Sequence, residues 1–126
     1  MTDAAVRHYG WDELEMEQVG PGLDRRFIVG ERLMMAQIRL AAGVKVPSHR
    51  HEHEQITNVL AGRMEFRFGE NGEDKRVVGA GEVVVIPSNL PHQAEVLEAA
   101  EVIELFAPPR QDWIDGTDGY LRGSDG

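Results

Sequence analysis

The stretch Gly43–Gly62 reads GVKVPSHRHEHEQITNVLAG. It sets His49, His51, His53 and Gln55 at every second position and holds three of the chain's five histidines. Alternate residues of an extended strand point to the same side, so a straight segment would project all four together. A straight segment could not bring all four to one ion. His49 and Gln55 would stand about 20 Å apart at roughly 3.3 Å per residue, whereas metal–nitrogen bonds are about 2 Å long. The chain must therefore turn between the first pair and Gln55 if they share an ion. Two histidines two residues apart can share one, and a ligand from another strand can complete the set. An exposed, pH-sensitive strand face is the rival reading, since most isolated His-x-His pairs are surface features.

Working outward, the same period of two recurs. In RLMMAQIRL (32–40) Met34, Ala36, Ile38 and Leu40 share one face, and FIVG (27–30) precedes it across a turn at Gly30-Glu31. ITNVLA (56–61) reads as a strand ending at Gly62. RMEFRF (63–68) puts Met64, Phe66 and Phe68 on one side and Arg63, Glu65 and Arg67 on the other. GENGED (69–74) carries an Asn-Gly hairpin signal. KRVV (75–78) and VVVI (83–86) follow, the latter stopped by Pro87, and PSNLP delivers His92. QAEVL (93–97) and EVIELFA (101–107) are the last strands, joined by a turn near Glu98. About ten short strands at this spacing predict an all-β sandwich or barrel. Two helical pieces are expected, at 11–18 and at 110–121 after the Pro108-Pro109 break, and the final RGSDG is expected to fray.

Composition narrows the chemistry. A chain of 126 residues fits a single domain spanning 1–126, with a barrel core over about 26–107 and a tail over 108–126. The formal net charge of −9 argues against nucleic-acid or anionic-membrane partners, though one local Arg or a metal can still create an anion site. With no cysteine, any metal must be held by His, Gln/Asn or carboxylate, a donor set suited to divalent Mn, Fe, Ni, Co or Zn. No apolar run approaches a membrane span, and the acidic N-terminus lacks the order of a signal peptide, so a cytoplasmic location is expected. His8 has no partners nearby in sequence and reads as a surface residue.

Two spacings then point to a family. Gly43, His49, His51, Gln55 and Gly62 resemble the first cupin motif, with Gln where many members have Glu. Gly81, Pro87 and His92 in GEVVVIPSNLPH (81–92) are similar to the second, although Val96 stands where the family ends on Asn. The resemblance implies a double-stranded β-helix, a cupin jelly-roll barrel, with one divalent metal ion near its mouth. It implies His49, His51, Gln55 and His92 as the ligands, and leaves His53 in the bend, as a pocket or surface residue. Three neutral imidazoles and a neutral amide would leave the ion's charge unquenched, which suits Lewis-acid chemistry. The alternative for Gln55 is a pocket residue beside a three-histidine site.

The chain further resembles the KdgF-like small cupins of pectin and alginate degradation, through GERLMMAQIRLAAG (30–43), HEQITNVLAGRMEFRFG (53–69) and IELFAPPRQDW (103–113). That subgroup opens 4,5-unsaturated uronates to linear keto sugar acids. The resemblance implies Glu104 and Arg110 as catalytic residues and Phe106 and His53 as pocket residues, with Glu104 where the subgroup usually has Asp. Glu104 and Phe106 share a strand face, an acid beside a divalent ion can move protons, and an Arg can grip a carboxylate. Each also has an ordinary reading: a solvent-facing Glu, a core Phe, a surface Arg. The rival functions are a metal-dependent cupin dioxygenase, another lyase, isomerase or cyclase of the scaffold, and a non-catalytic small-molecule-binding cupin. Trp113, Ile114, Tyr120 and Leu121 lie in a polar tail and are expected to cover the barrel or a neighbouring subunit. A homodimer acting on a small carboxylate substrate is the expected assembly.

Overall fold

The computed structural model describes residues 5–122. Its strands are β1 (Glu17–Gly20), β2 (Leu23–Val29), β3 (Met34–Leu40), β4 (Lys45–His49), β5 (Glu54–Phe68), β6 (Asp74–Gly79), β7 (Val83–Ile86) and β8 (His92–Ala107). Two short helices follow, α1 (Gln111–Asp115) and α2 (Gly119–Arg122). All observed pairings are antiparallel, and the strands wrap into an all-β jelly-roll.

The wrapping comes from β5 and β8, which pair along most of their length and belong to both walls. The first halves of β5 and the last half of β8 join β3 and β7: Gln55 pairs with Phe106 and Ile86, and Met34 pairs with Phe106. Their other halves join β4 and β6: Phe68 pairs with His92, His49 with His92, and Phe66 with Arg76. Where the strands pass from one wall to the other, the register shifts between Val59 and Met64. The breaks expected at Gly62 and near Glu98 are thus bulges within continuous strands. Gly62 sits there at φ +83°, and a Cβ would lie 2.1 Å from the carbonyl oxygen of Ala99. Only glycine lets the two strands approach so closely and bend together.

Alternation then fills the barrel. Met34, Ala36, Ile38 and Leu40 of β3 are all buried, as are Met64, Phe66 and Phe68 of β5 and Val96, Val102 and Phe106 of β8. Phe66 and Phe68 stack with ring centroids 5.9 Å apart.

Three expectations need correction. The helix expected at 11–18 is a 3-10 turn over Trp11–Glu13, followed by β1. The turn at Pro21-Gly22, with Gly22 at φ +73°, folds β1 back on β2, and buried Val19 and Leu23 anchor that hairpin. The strands therefore begin before residue 26. The helix expected at 110–121 is split, because Gly116 adopts φ +72° and caps α1, its N–H donating to the Trp113 carbonyl. VVVI is apolar yet alternates in burial, with Val83 and Val85 exposed outside and Ile86 fully buried inside. His8 is exposed as expected, and the expected fraying lies, apart from Arg122, outside the described residues.

Candidate metal centre

Register brings the first two histidines together. His49 ends β4, His92 begins β8, and they are direct cross-strand partners with ring centroids 4.3 Å apart. His51 lies in the turn between β4 and β5, its ring 5.0 Å from His92 and 5.5 Å from His49. The loop before β8 holds it there, for the Asn89 N–H donates to the His51 carbonyl at 2.8 Å. Asn89 has φ +63°, a conformation open to Asn at modest cost. One ring nitrogen from each of the three histidines lies within 4.8 Å of the others.

Tautomer decides which nitrogen that is. Nδ1 of His49 faces the Pro47 carbonyl at 2.8 Å, Nδ1 of His51 the His53 carbonyl at 3.1 Å, and Nδ1 of His92 the Leu90 carbonyl at 2.8 Å. A carbonyl only accepts, so each Nδ1 keeps its proton and each Nε2 presents a lone pair. Nε2 of His51 and Nε2 of His92 are buried with no hydrogen-bond partner. Buried polar atoms are rarely left so. Burial also keeps the rings neutral, pushing His49 down to about 4 and His51 to about 3, with the Arg110 charge the next cause for His51. Burial lowers His92 as well. Three neutral imidazoles with converging free lone pairs fit a divalent metal ion.

His53 stands apart from this cluster. Its ring packs 5.2 Å from His51, outside the lining of the cavity, and its backbone carbonyl is what orients the His51 ring. Gln55 is buried at the start of β5 and does line the cavity. Its amide nitrogen donates to Thr57 Oγ1 at 2.9 Å and to Glu104 Oε2 at 2.8 Å, which leaves its carbonyl oxygen as the uncommitted atom.

Glu104 is the acid of the cavity. It projects inward from β8 opposite Thr57, and Oε2 also accepts from Thr57 Oγ1 at 2.8 Å. Burial raises its pKa above the usual carboxylate range, and the hydrogen bonds from Thr57 and Gln55 and the charge of Arg110 offset only part of that. Among the described residues no hydrogen bond engages Oε1. Thr57 was not singled out by its sequence, although the two-residue step from Gln55 puts it on the same face.

Arg110 follows β8 and is 2% exposed. Asp112 holds it through Nε at 3.0 Å and Nη2 at 2.8 Å, and Nη2 also donates to Tyr120 Oη at 2.5 Å. Burial opposes the charge, but these bonds outweigh it and hold the Arg110 pKa above its ordinary value. One two-pronged edge of the guanidinium is therefore occupied, and Nη1 remains. The guanidinium also lies 5.0 Å over the Phe106 ring. Phe106 is both core and site: it is 1% exposed, lines the cavity and meets Trp113 edge-on at 4.9 Å.

The tail closes the centre. Trp113, Tyr120 and Leu121 line the cavity, and the Tyr120 ring lies 4.5 Å from the His49 ring, so the aromatic tail covers its own barrel; Ile114 stays exposed. The cavity beneath the tail has a volume of about 60 Å³. Its lining mixes the polar His49, His92, Gln55, Glu104 and Arg110 with the apolar Ile38, Met64 and Val102, and His51, like His53, lies outside it.

These features define a jelly-roll with a three-histidine cluster that could hold a metal ion. A family profile described as a cupin domain matches residues 36–106, more than half of the chain, and the chain belongs to the cupin family. Among solved structures it is similar to KdgF from Halomonas sp., at 29% identity over 86% of this chain and 99% of that one, with a TM-score of 0.79. An RmlC-like cupin from Shewanella frigidimarina shares the fold, at 24% identity over 86% of this chain and 96% of that one (TM-score 0.78). A mutant of oxalate decarboxylase from Bacillus subtilis also shares it, at 22% identity over 84% of this chain and 31% of that one (TM-score 0.72). No curated protein matches the chain.

Proposed function

We propose that this cupin is a metal-dependent enzyme that opens 4,5-unsaturated uronates to linear keto sugar acids. The observation that carries the proposal is Glu104: a buried carboxyl with a raised pKa, held by Gln55 and Thr57 through Oε2, in the same cavity as His49, His92 and Arg110. A carboxyl whose pKa is raised by burial holds a proton more readily and can pass it on. The similarity to KdgF supports the choice of reaction.

The reaction is an isomerisation. The anomeric hydroxyl loses a proton as the bond from C1 to the ring oxygen breaks, and C4 gains a proton as C5 becomes a ketone. Glu104 would carry that proton through Oε1, which no hydrogen bond engages among the described residues. His49, His51 and His92, with the carbonyl oxygen of Gln55, would hold the metal, which would supply Lewis acidity. Mn, Fe, Ni, Co and Zn all suit this donor set. Arg110 binds the carboxylate through Nη1, with Asp112 fixing its orientation. Phe106 walls the pocket and keeps water from the reacting carbons. The cavity of about 60 Å³ is far below the roughly 300–1,000 Å³ of ligand pockets. It takes the acidic end of the substrate. The working form is a cytoplasmic homodimer; among the described residues no helix is long and apolar enough to cross a membrane.

Mixing metal-loaded protein with an unsaturated uronate and following its ultraviolet chromophore tests the reading. The absorbance is expected to fall, and Glu104→Gln to slow the fall by about 10²–10⁴-fold with metal content unchanged. A wild-type rate equal to that of free metal overturns the proposal.

A further inference from the structure

Tyr120 is absent from the roles assigned above, yet it is built into the centre. Its oxygen accepts the Arg110 Nη2–H at 2.5 Å, so its own hydroxyl proton is free to be donated. The ring lies against His49 and lines the cavity. Arg110 and Tyr120 therefore present two kinds of donor side by side, the Nη1–H pair and the phenol O–H. A simple carboxylate is satisfied by Arg110 alone. A carboxylate with an oxygen on the adjacent carbon offers the extra acceptor.

The position of Tyr120 is enforced from elsewhere. Helix α2 has only four residues and cannot hold itself. Asp118, just before it, is fully buried and bonds Arg25 Nη1 at 2.6 Å and Arg122 Nε at 2.7 Å. Glu17 closes the ring, at 3.5 Å from Arg25 Nη2 and 3.2 Å from Arg122 Nη1. Arg25 is itself 0% exposed and lies 4.2 Å over the Trp113 ring. A buried ion pair is costly to desolvate and adds little net stability against an apolar substitute. Here it ties the segment bearing Tyr120 to the first hairpin of the barrel.

We propose that Tyr120 contacts the bound ligand and, together with Arg110, selects carboxylates that carry an oxygen on the adjacent carbon, with Arg25 and Asp118 as its positioning residues. This names the acid class for the uronate reading and rests on that reading only in taking the ligand to be a small organic anion.

The test is binding of glycolate, galacturonate and acetate to the zinc-loaded full chain, followed by NMR titration, in the wild type, Tyr120→Phe and Asp118→Asn. The wild type is expected to bind glycolate and galacturonate more tightly than acetate. Tyr120→Phe is expected to weaken the first two about tenfold, the loss of one good hydrogen bond, and to leave acetate within about twofold. Asp118→Asn is expected to give the same pattern and to speed hydrogen exchange at residues 119–122 while the barrel strands keep theirs. Unchanged glycolate affinity in Tyr120→Phe overturns the proposal, as does an equal loss for all three acids, or a wild type that binds none of them. Wild-type discrimination in Asp118→Asn overturns the positioning role. The uronate assay is separate: no turnover together with Tyr120-dependent discrimination sinks the proposed reaction and leaves this inference standing.

Discussion

At the scale of single residues, the centre is arranged around protons. Each histidine of the cluster donates Nδ1–H to a backbone carbonyl, so the lone pair available to a metal is fixed before any ion arrives. A proton competes with a metal for that lone pair. Burial pushes His49 to about 4 and His51 to about 3, which removes the competition at ordinary pH. Zinc affinity of the purified protein is therefore expected to fall only slightly between pH 7 and pH 5. Three histidines at the usual 6.5 would together lose roughly three decades or more over the same interval. Competition titration against a chelator of known pH dependence separates the two, and a steep loss near pH 6 refutes the neutral, pre-organised site. Stability of the metal-free protein follows the opposite course. Below about pH 6.5 the unfolded chain takes up protons that folded His49 refuses until about pH 4, so these rings cost stability as the pH falls through that window. Glu104 has the reverse sign: its raised pKa leaves stability intact at low pH and reduces it as the pH rises above the carboxylate range.

At the scale of elements, the site is a consequence of where two long strands bend. His92 and Glu104 are both on β8 but on opposite sides of the bulge, and both face one cavity because β5 and β8 turn together at Gly62. Gly62→Ala would place a Cβ 2.1 Å from the Ala99 carbonyl oxygen at a φ of +83°. It is expected to destabilise the fold by about 3 kcal/mol or more, read as a lower urea midpoint, and to weaken metal binding. A neutral Gly62→Ala would mean that the bend forms without close strand approach. The alternation of Met34–Leu40 and Arg63–Phe68 was legible because each strand faces a core on one side only. The three-histidine cluster was legible through the resemblance to the two cupin motifs, which pairs His49 and His51 with the distant His92. The first hairpin and the true ends of β5 and β8 were not, since a bulge reads like a turn when its partner strand is unknown. Thr57 was missed as a site residue because its partner Glu104 is 47 residues away, and Tyr120 because its place depends on the buried ring around Asp118; Asp112 was missed although Arg110 is two residues away. The tail's aromatic content signalled that it covers something, without saying that it covers the centre.

At the scale of the whole molecule, one face remains to be accounted for. Cross-strand register aligns Ile28, Met35, Leu105, Ile56 and Val85 in a single row on the outside of the barrel. Five strands about 4.8 Å apart make that row roughly 19 Å wide. Tyr9, Trp11 and Leu14 lie against its β2 end at Ile28 and Met35. At the other end Val83 and Val85 are 58% and 57% exposed, Leu60 on β5 is 47% exposed, and β7 pairs only with β5 among the described residues. An open edge beside an apolar face invites another strand. The occupant of the proposed dimer is a second copy of the same chain. Two molecules of charge −9 repel over most of their surfaces, and an uncharged face that meets itself about a two-fold axis avoids the like-charge contact. The expected assembly joins β7 to β7 and extends the sheet across the axis. Light scattering coupled to size exclusion should give twice the 14.0 kDa chain mass. Val85→Lys puts a charge at the centre of that contact and is expected to yield monomers. The metal centre opens on the inner side of the same wall, so the variant should keep its zinc affinity. A wild type that elutes as a monomer, or a Val85→Lys variant that remains a dimer, removes this face from the assembly.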